Sequence, residues 1–135
     1  MTPVALALAE IGSRNGAKYS LGRKAPWCAH FITWLFREAG TPLPDDVLPT
    51  PASPGIGTPD ALFSLGWPRK VTEPLPGDLA FFRQHSQWST MHCAIVVAVG
   101  ADGFSTVDGN YKGAVARRER KLTDINLICF SRFGV

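Results

Sequence analysis

Residues 26–40, PWCAHFITWLFREAG, decide how the rest of the chain is read. Proline suits the first turn of a helix, where its missing N–H costs nothing. Gly40 is the usual residue just past a helix end, and Thr41-Pro42 blocks continuation. Between them Trp27, Ala29, Phe31, Ile32, Trp34, Leu35, Phe36 and Ala39 leave a narrow polar stripe of His30, Thr33 and Arg37. A helix apolar around most of its circumference is packed on several sides, so this one is central, with His30 expected on its surface. Cys28 falls in its first turn. Unpaired backbone N–H groups and the positive end of the helix dipole stabilise a thiolate there. The same letter also fits a small, inert core cysteine.

The bulk properties set bounds. A chain of 135 residues supports one core, so residues 1–135 read as one catalytic-size domain. Apolar residues make up 45% and charged residues 19%, which describes an ordinary globular protein rather than a disordered one. The net charge of +3 suits weak attraction to an anionic surface such as a bacterial wall. It does not make the dense basic face that nucleic acid requires. Arg117, Arg118, Arg120 and Lys121 cluster, but Glu119 interrupts them, and they read as a solvated strand edge. Three well-separated cysteines imply no disulfide framework, and Cys93 and Cys129 sit in apolar runs as core. The opening MTPVALALAEIG lacks a basic n-region and is broken by Glu10, so no signal peptide is expected. No stretch reaches the roughly 18 apolar residues of a membrane span.

Along the chain, Thr2–Ile11 reads as an amphipathic helix with Thr2 as cap and Pro3 in the first turn. Residues 16–25 read as a loop whose one large residue is Tyr19. Beyond the central helix, Pro42, Pro44, Pro49, Pro51, Pro54 and Pro59 rule out long regular structure and predict a surface loop. Thr58-Pro59-Asp60 starts a short helix to about Leu65, with Gly66 as its stop. The period then changes to extended: strands are expected over 79–83, 93–99, 103–107, 115–120 and 127–133, with a tight turn at Ala101-Asp102-Gly103. Helices first and antiparallel strands after give an α+β domain, with the N-terminal helices packed on one face of an antiparallel β-sheet.

A cysteine nucleophile needs an imidazole in reach and a third group to orient it. His30 lies two residues from Cys28, about 200° around the helix, and faces away. His85 lies in the polar loop 84–90, whose Trp88 has no apolar pattern to satisfy and is a candidate for touching substrate at a cleft edge. His92 stands at the start of the most apolar strand, CAIVVAV, where the strand behind would hold it rigid. Asp108 and Asn110 are one residue apart, so in extended chain both face the same way, and either could accept the ring's other N–H. Asp-Gly-Asn is equally good turn chemistry. Cys28, His30, His92 and Cys93 could be read as zinc ligands, but C-x-H and H-C lack structural-zinc spacing, so neither metal nor cofactor is expected.

Together PWCAHFITWLFREAG, LPGDLAFF, MHCAIVVAV and TVDGNY followed by ARRER resemble, in order and spacing, the CHAP domain. This is the cysteine, histidine-dependent amidohydrolase/peptidase family of papain-like cell-wall enzymes, and the likeness runs from about Val4 to Phe133. The resemblance implies a papain-like fold, Cys28 as nucleophile and His92 as base. Where members usually show Glu-Gly-Asn, this chain has Asp108-Gly109-Asn110. Tyr19 would be the counterpart of an upstream residue used near the oxyanion. Implied with these is an amidase or endopeptidase of peptidoglycan, made in the cytoplasm and acting at the cell wall or periplasm. A phage lysin or an interbacterial effector fits, with a holin, secretion machinery or an immunity protein as partner. An intracellular amidase or acyltransferase acting on a small amide is the alternative.

Overall fold

The structure, a computed structural model, describes residues 1–22, 26–44, 46, 56–84 and 87–134, with backbone only at 84 and 87–90. Four helices precede a six-stranded sheet: α1 (Pro3–Ala9), α2 (Gly16–Ser20), α3 (Cys28–Glu38) and α4 (Pro59–Gly66), the last running into a 3-10 turn, Trp67–Arg69. The strands are β1 (Lys70–Val71), β2 (Leu79–Gln84), β3 (Gln87–Val99), β4 (Gly103–Tyr111), β5 (Ala114–Lys121) and β6 (Leu127–Ser131). The sheet order is β1-β6-β2-β3-β4-β5, with every pairing antiparallel. The expected α+β class holds.

Sequence chemistry accounts for the helix ends. Thr2 and Thr58 cap α1 and α4 through their hydroxyls, each taking a backbone N–H three residues on. α3 ends in a Schellman motif: Thr41 N–H reaches Phe36 O and Gly40 N–H reaches Arg37 O, both at 3.0 Å, with Gly40 at φ +78°. The start differs from expectation, because α3 begins at Cys28 itself with Trp27 as the flanking residue, and Pro26 stands outside. The segment expected as loop at 16–25 contains α2, whose Tyr19 is held between Trp27, Phe31 and Trp34. A five-residue helix shows too short a period to be read from sequence.

α3 is the centre of the main core, where Phe31, Ile32 and Leu35 are fully buried against Leu79, Phe81, Cys93, Ile95 and Val107. Its polar stripe also turns inward. Thr33 Oγ1 donates to Ile56 O at 2.5 Å, Arg37 pairs with Asp46 at 3.1 Å, and the His30 ring sits where a Cβ on Gly57 would be. His30 is therefore buried, not a surface residue, because the proline-rich connection returns along the stripe. Residues 45 and 47–55 of that connection lie outside the described residues. A smaller core of Ala80, Phe82, Ala94, Val96, Phe104 and Phe130 occupies the opposite face of the sheet.

Two strands run longer than their apolar pattern. β3 starts at Gln87, so His92 stands within the strand and not at its mouth. The β2–β3 ribbon continues to the Gln84↔Gln87 pair, and polar residues on both its faces conceal the strand from a hydropathy reading. β4 runs through Asp108-Gly109-Asn110 to Tyr111, and the turn comes at Lys112-Gly113. Asp-Gly-Asn is thus strand with a bulge rather than turn, because the register shifts between Asp108 and Tyr111 and Asn110 adopts φ +61°. Gly109 is required by packing: a Cβ there would lie 2.6 Å from Phe31 Cβ.

Candidate active site

Three elements converge at one end of α3. Cys28 is the first residue of α3, whose ladder opens with Phe31 N–H to Trp27 O at 2.9 Å. Helix geometry therefore leaves the Cys28 N–H without an intrahelical acceptor. β3 supplies His92, and β4, paired beside β3, supplies Asp108. His92 Nε2 lies 2.5 Å from Asp108 Oδ2. That occupies one ring nitrogen and leaves Nδ1 as the one able to serve Cys28, whose proximity raises the imidazole's pKa.

Asp108 is fully buried and held from several directions. Thr106 Oγ1 donates to its Oδ1 at 2.5 Å, the Arg120 guanidinium donates to Oδ2 at 2.5 Å, and Arg118 stands 3.8 Å away. Burial alone would raise its pKa, but the His92 bond and charge, with Arg120 and Thr106, hold it below the usual carboxylate value. Burial alone would pull His92 down; Asp108 and the Cys28 thiolate reverse this and lift it to about 9. Cys28 is lowered to about 5, first by a hydrogen bond from the Cys93 thiol and then by His92, against a burial that opposes ionisation. Cys93 itself is completely buried and raised well above a normal thiol, so it remains a donor. The site is therefore built to hold thiolate, imidazolium and carboxylate in a row at neutral pH.

The other expected residues separate. Asn110 lines a cleft of about 380 Å³ with His92, Tyr111 and Arg118. Tyr19 is 1% exposed and donates its hydroxyl to Glu10 Oε1 at 2.8 Å. Burial, with Glu10 adding to it, raises this phenol to about 12. The hydroxyl is thus engaged by a carboxylate at the C-terminal cap of α1, while the ring stacks on Trp27. The side chain of Trp88, and His85, lie outside the described residues. Among the described residues no group of His, Cys, Asp and Glu side chains could hold a metal ion, and no helix is long and apolar enough to cross a membrane.

The CHAP domain family model matches residues 19–110, a span holding Cys28, His92, Asp108 and Asn110. The chain belongs to the CHAP family. It is therefore a cysteine, histidine-dependent amidohydrolase/peptidase. No curated relative and no solved structure matches the chain.

In this CHAP domain the parts that sequence reading missed are the supports. Arg118 and Arg120 read as a solvated edge, yet Arg120 is nearly buried, its guanidinium 4.1 Å over the Phe82 ring and bonded to Asp108. The signal was present as alternation. Phe104↔Arg120, Thr106↔Arg118 and Asp108↔Ala116 share one sheet face, so every second residue of ARRER points at the Thr106–Asp108 side. Cys93 was read as plain core; as His92's neighbour it faces the other way, toward α3.

Proposed function

We propose that this CHAP enzyme hydrolyses an amide bond of peptidoglycan, working at the cell wall. Cys28 Sγ⁻ attacks the amide carbonyl carbon, and the resulting oxyanion is met by the Cys28 N–H at the start of α3. His92 Nδ1–H then protonates the leaving nitrogen, the C–N bond breaks, and an acyl thioester remains on Cys28. Water, its proton taken by the now neutral His92, attacks the thioester; the acid leaves and the thiolate–imidazolium pair is restored. Asp108 fixes the ring and stabilises its charge throughout, and Asn110 faces the substrate from the cleft. The observation that carries this reading is the 2.5 Å His92 Nε2–Asp108 contact, which commits the other ring nitrogen to the cysteine.

The wall is the substrate favoured by the family and by the positive net charge of +3, which suits an anionic polymer. Digestion of purified sacculi, followed by mass spectrometry of the released fragments, tests it. New paired amine and carboxylate termini at one bond are expected, absent with Cys28→Ala. Intact sacculi after treatment with enzyme that still cleaves small amides would assign the chemistry to another substrate.

A further inference from the structure

The cleft beside His92 lies away from α3: its described lining comes from β2, β3, β4, β5 and residues 112, 124 and 126. Its charge is unbalanced. Within the site, thiolate and imidazolium cancel, as do Asp108 and Arg120. Lys112 and Arg118 remain against Asp124, leaving the opening cationic. Arg118 is the best placed of them. Its guanidinium lies 4.2 Å over the Tyr111 ring, and its side chain keeps 35% of its surface open. At 3.8 Å its contact with Asp108 is long, because Arg120 already occupies that carboxylate at 2.5 Å. A stacked, oriented guanidinium with donors to spare takes a carboxylate in a paired fork.

The chemistry says which half of a substrate lies there. His92 delivers its proton to the leaving nitrogen, so the amine half must lie on the His92 side, while the acyl half stays by the start of α3. We propose that Arg118 and Lys112 form a subsite for a carboxylate on the amine half of the substrate, making Arg118 a specificity residue outside the matched span 19–110. This rests on the amide-hydrolase reading above. It predicts preference for stem peptides whose leaving portion carries a free carboxylate over those in which it is amidated.

The test uses soluble disaccharide-peptide fragments of peptidoglycan, native or with carboxylates converted to carboxamides, titrated calorimetrically into the Cys28→Ala chain. The native set should bind about ten-fold more tightly, as a charge-assisted hydrogen bond would give. That advantage should vanish with Arg118→Gln, fall part-way with Arg118→Lys, which keeps the charge but loses the fork, and shrink in high salt. With Cys28 intact, Arg118→Gln should raise KM for the native set and leave KM for the amidated set where it was. Equal binding of the two sets, or an advantage that survives Arg118→Gln, overturns the subsite. A carboxylate advantage without release of new amines by wild-type enzyme would support the subsite and defeat the hydrolase reading, so the two fail separately.

Discussion

Asp108, itself without exposed surface, receives Thr106, Arg120 and His92, and a charge so enclosed must be compensated on every side. Asp108→Asn keeps the shape and removes the charge, so the ring is held in the wrong protonation state. kcat should fall by about 10⁴, as the same change does in a serine triad, while Asn110→Ala costs about 10². Steady-state assay of both on one amide ranks them, and a larger loss for Asn110→Ala would reverse the roles. The titrations give a second test. Because Cys28 is lowered to about 5 and His92 raised to about 9, kcat/KM should rise as the thiol ionises near pH 5 and fall as the imidazolium deprotonates near pH 9. Iodoacetamide should then label Cys28 rapidly at pH 6, with Cys93 protected by complete burial. Comparable labelling of both thiols by peptide mapping would contradict the ion pair.

Elements place these residues, and the contact between α3 and β4 matters most. Gly109 lets the Phe31 side chain lie directly on the strand, which sets the distance between the cysteine-bearing helix and the strand carrying Asp108. Gly109→Ala should cost about 1–3 kcal/mol, as overpacking does, and should lower kcat more than that loss of stability explains. Thermal melting alongside a kinetic assay checks it; unchanged values for both would mean the helix has room to move. At this scale the sequence was partly legible. α3, α4, the hydroxyl caps and the strand cores carry strong periodicity and known end signals. The ends of β3 and β4 do not, since Gln87–Thr90 alternate without apolar contrast and Gly-Asn resembles a turn. The bulge, with Asn110 at φ +61°, breaks the alternation on which a strand reading depends.

Across the whole molecule, the two faces of the sheet carry two separate cores. The face under α3 holds the main core with Cys28 and Cys93; the opposite face holds Phe82, Phe104 and Phe130 and, at its edge, the cationic cleft. Cys28 on α3 and His92 on β3 are tertiary neighbours, which no local pattern in the chain announces. Their residue types were legible, and so was their order in the chain. The placement of Arg120 on Asp108 was not, because a run of ARRER looks solvated until its register against β4 is known. The central claim is that the amide is split through an acyl thioester on Cys28. It is tested most directly by mixing enzyme with soluble peptidoglycan fragments, quenching in acid within milliseconds to seconds, and mapping the Cys28 peptide by mass. The account predicts an adduct on Cys28 equal to the acyl half of the cleaved bond, present during turnover and absent from Cys28→Ala. Cleavage that proceeds with Cys28 unmodified at every time point, and that survives in Cys28→Ala, would contradict it.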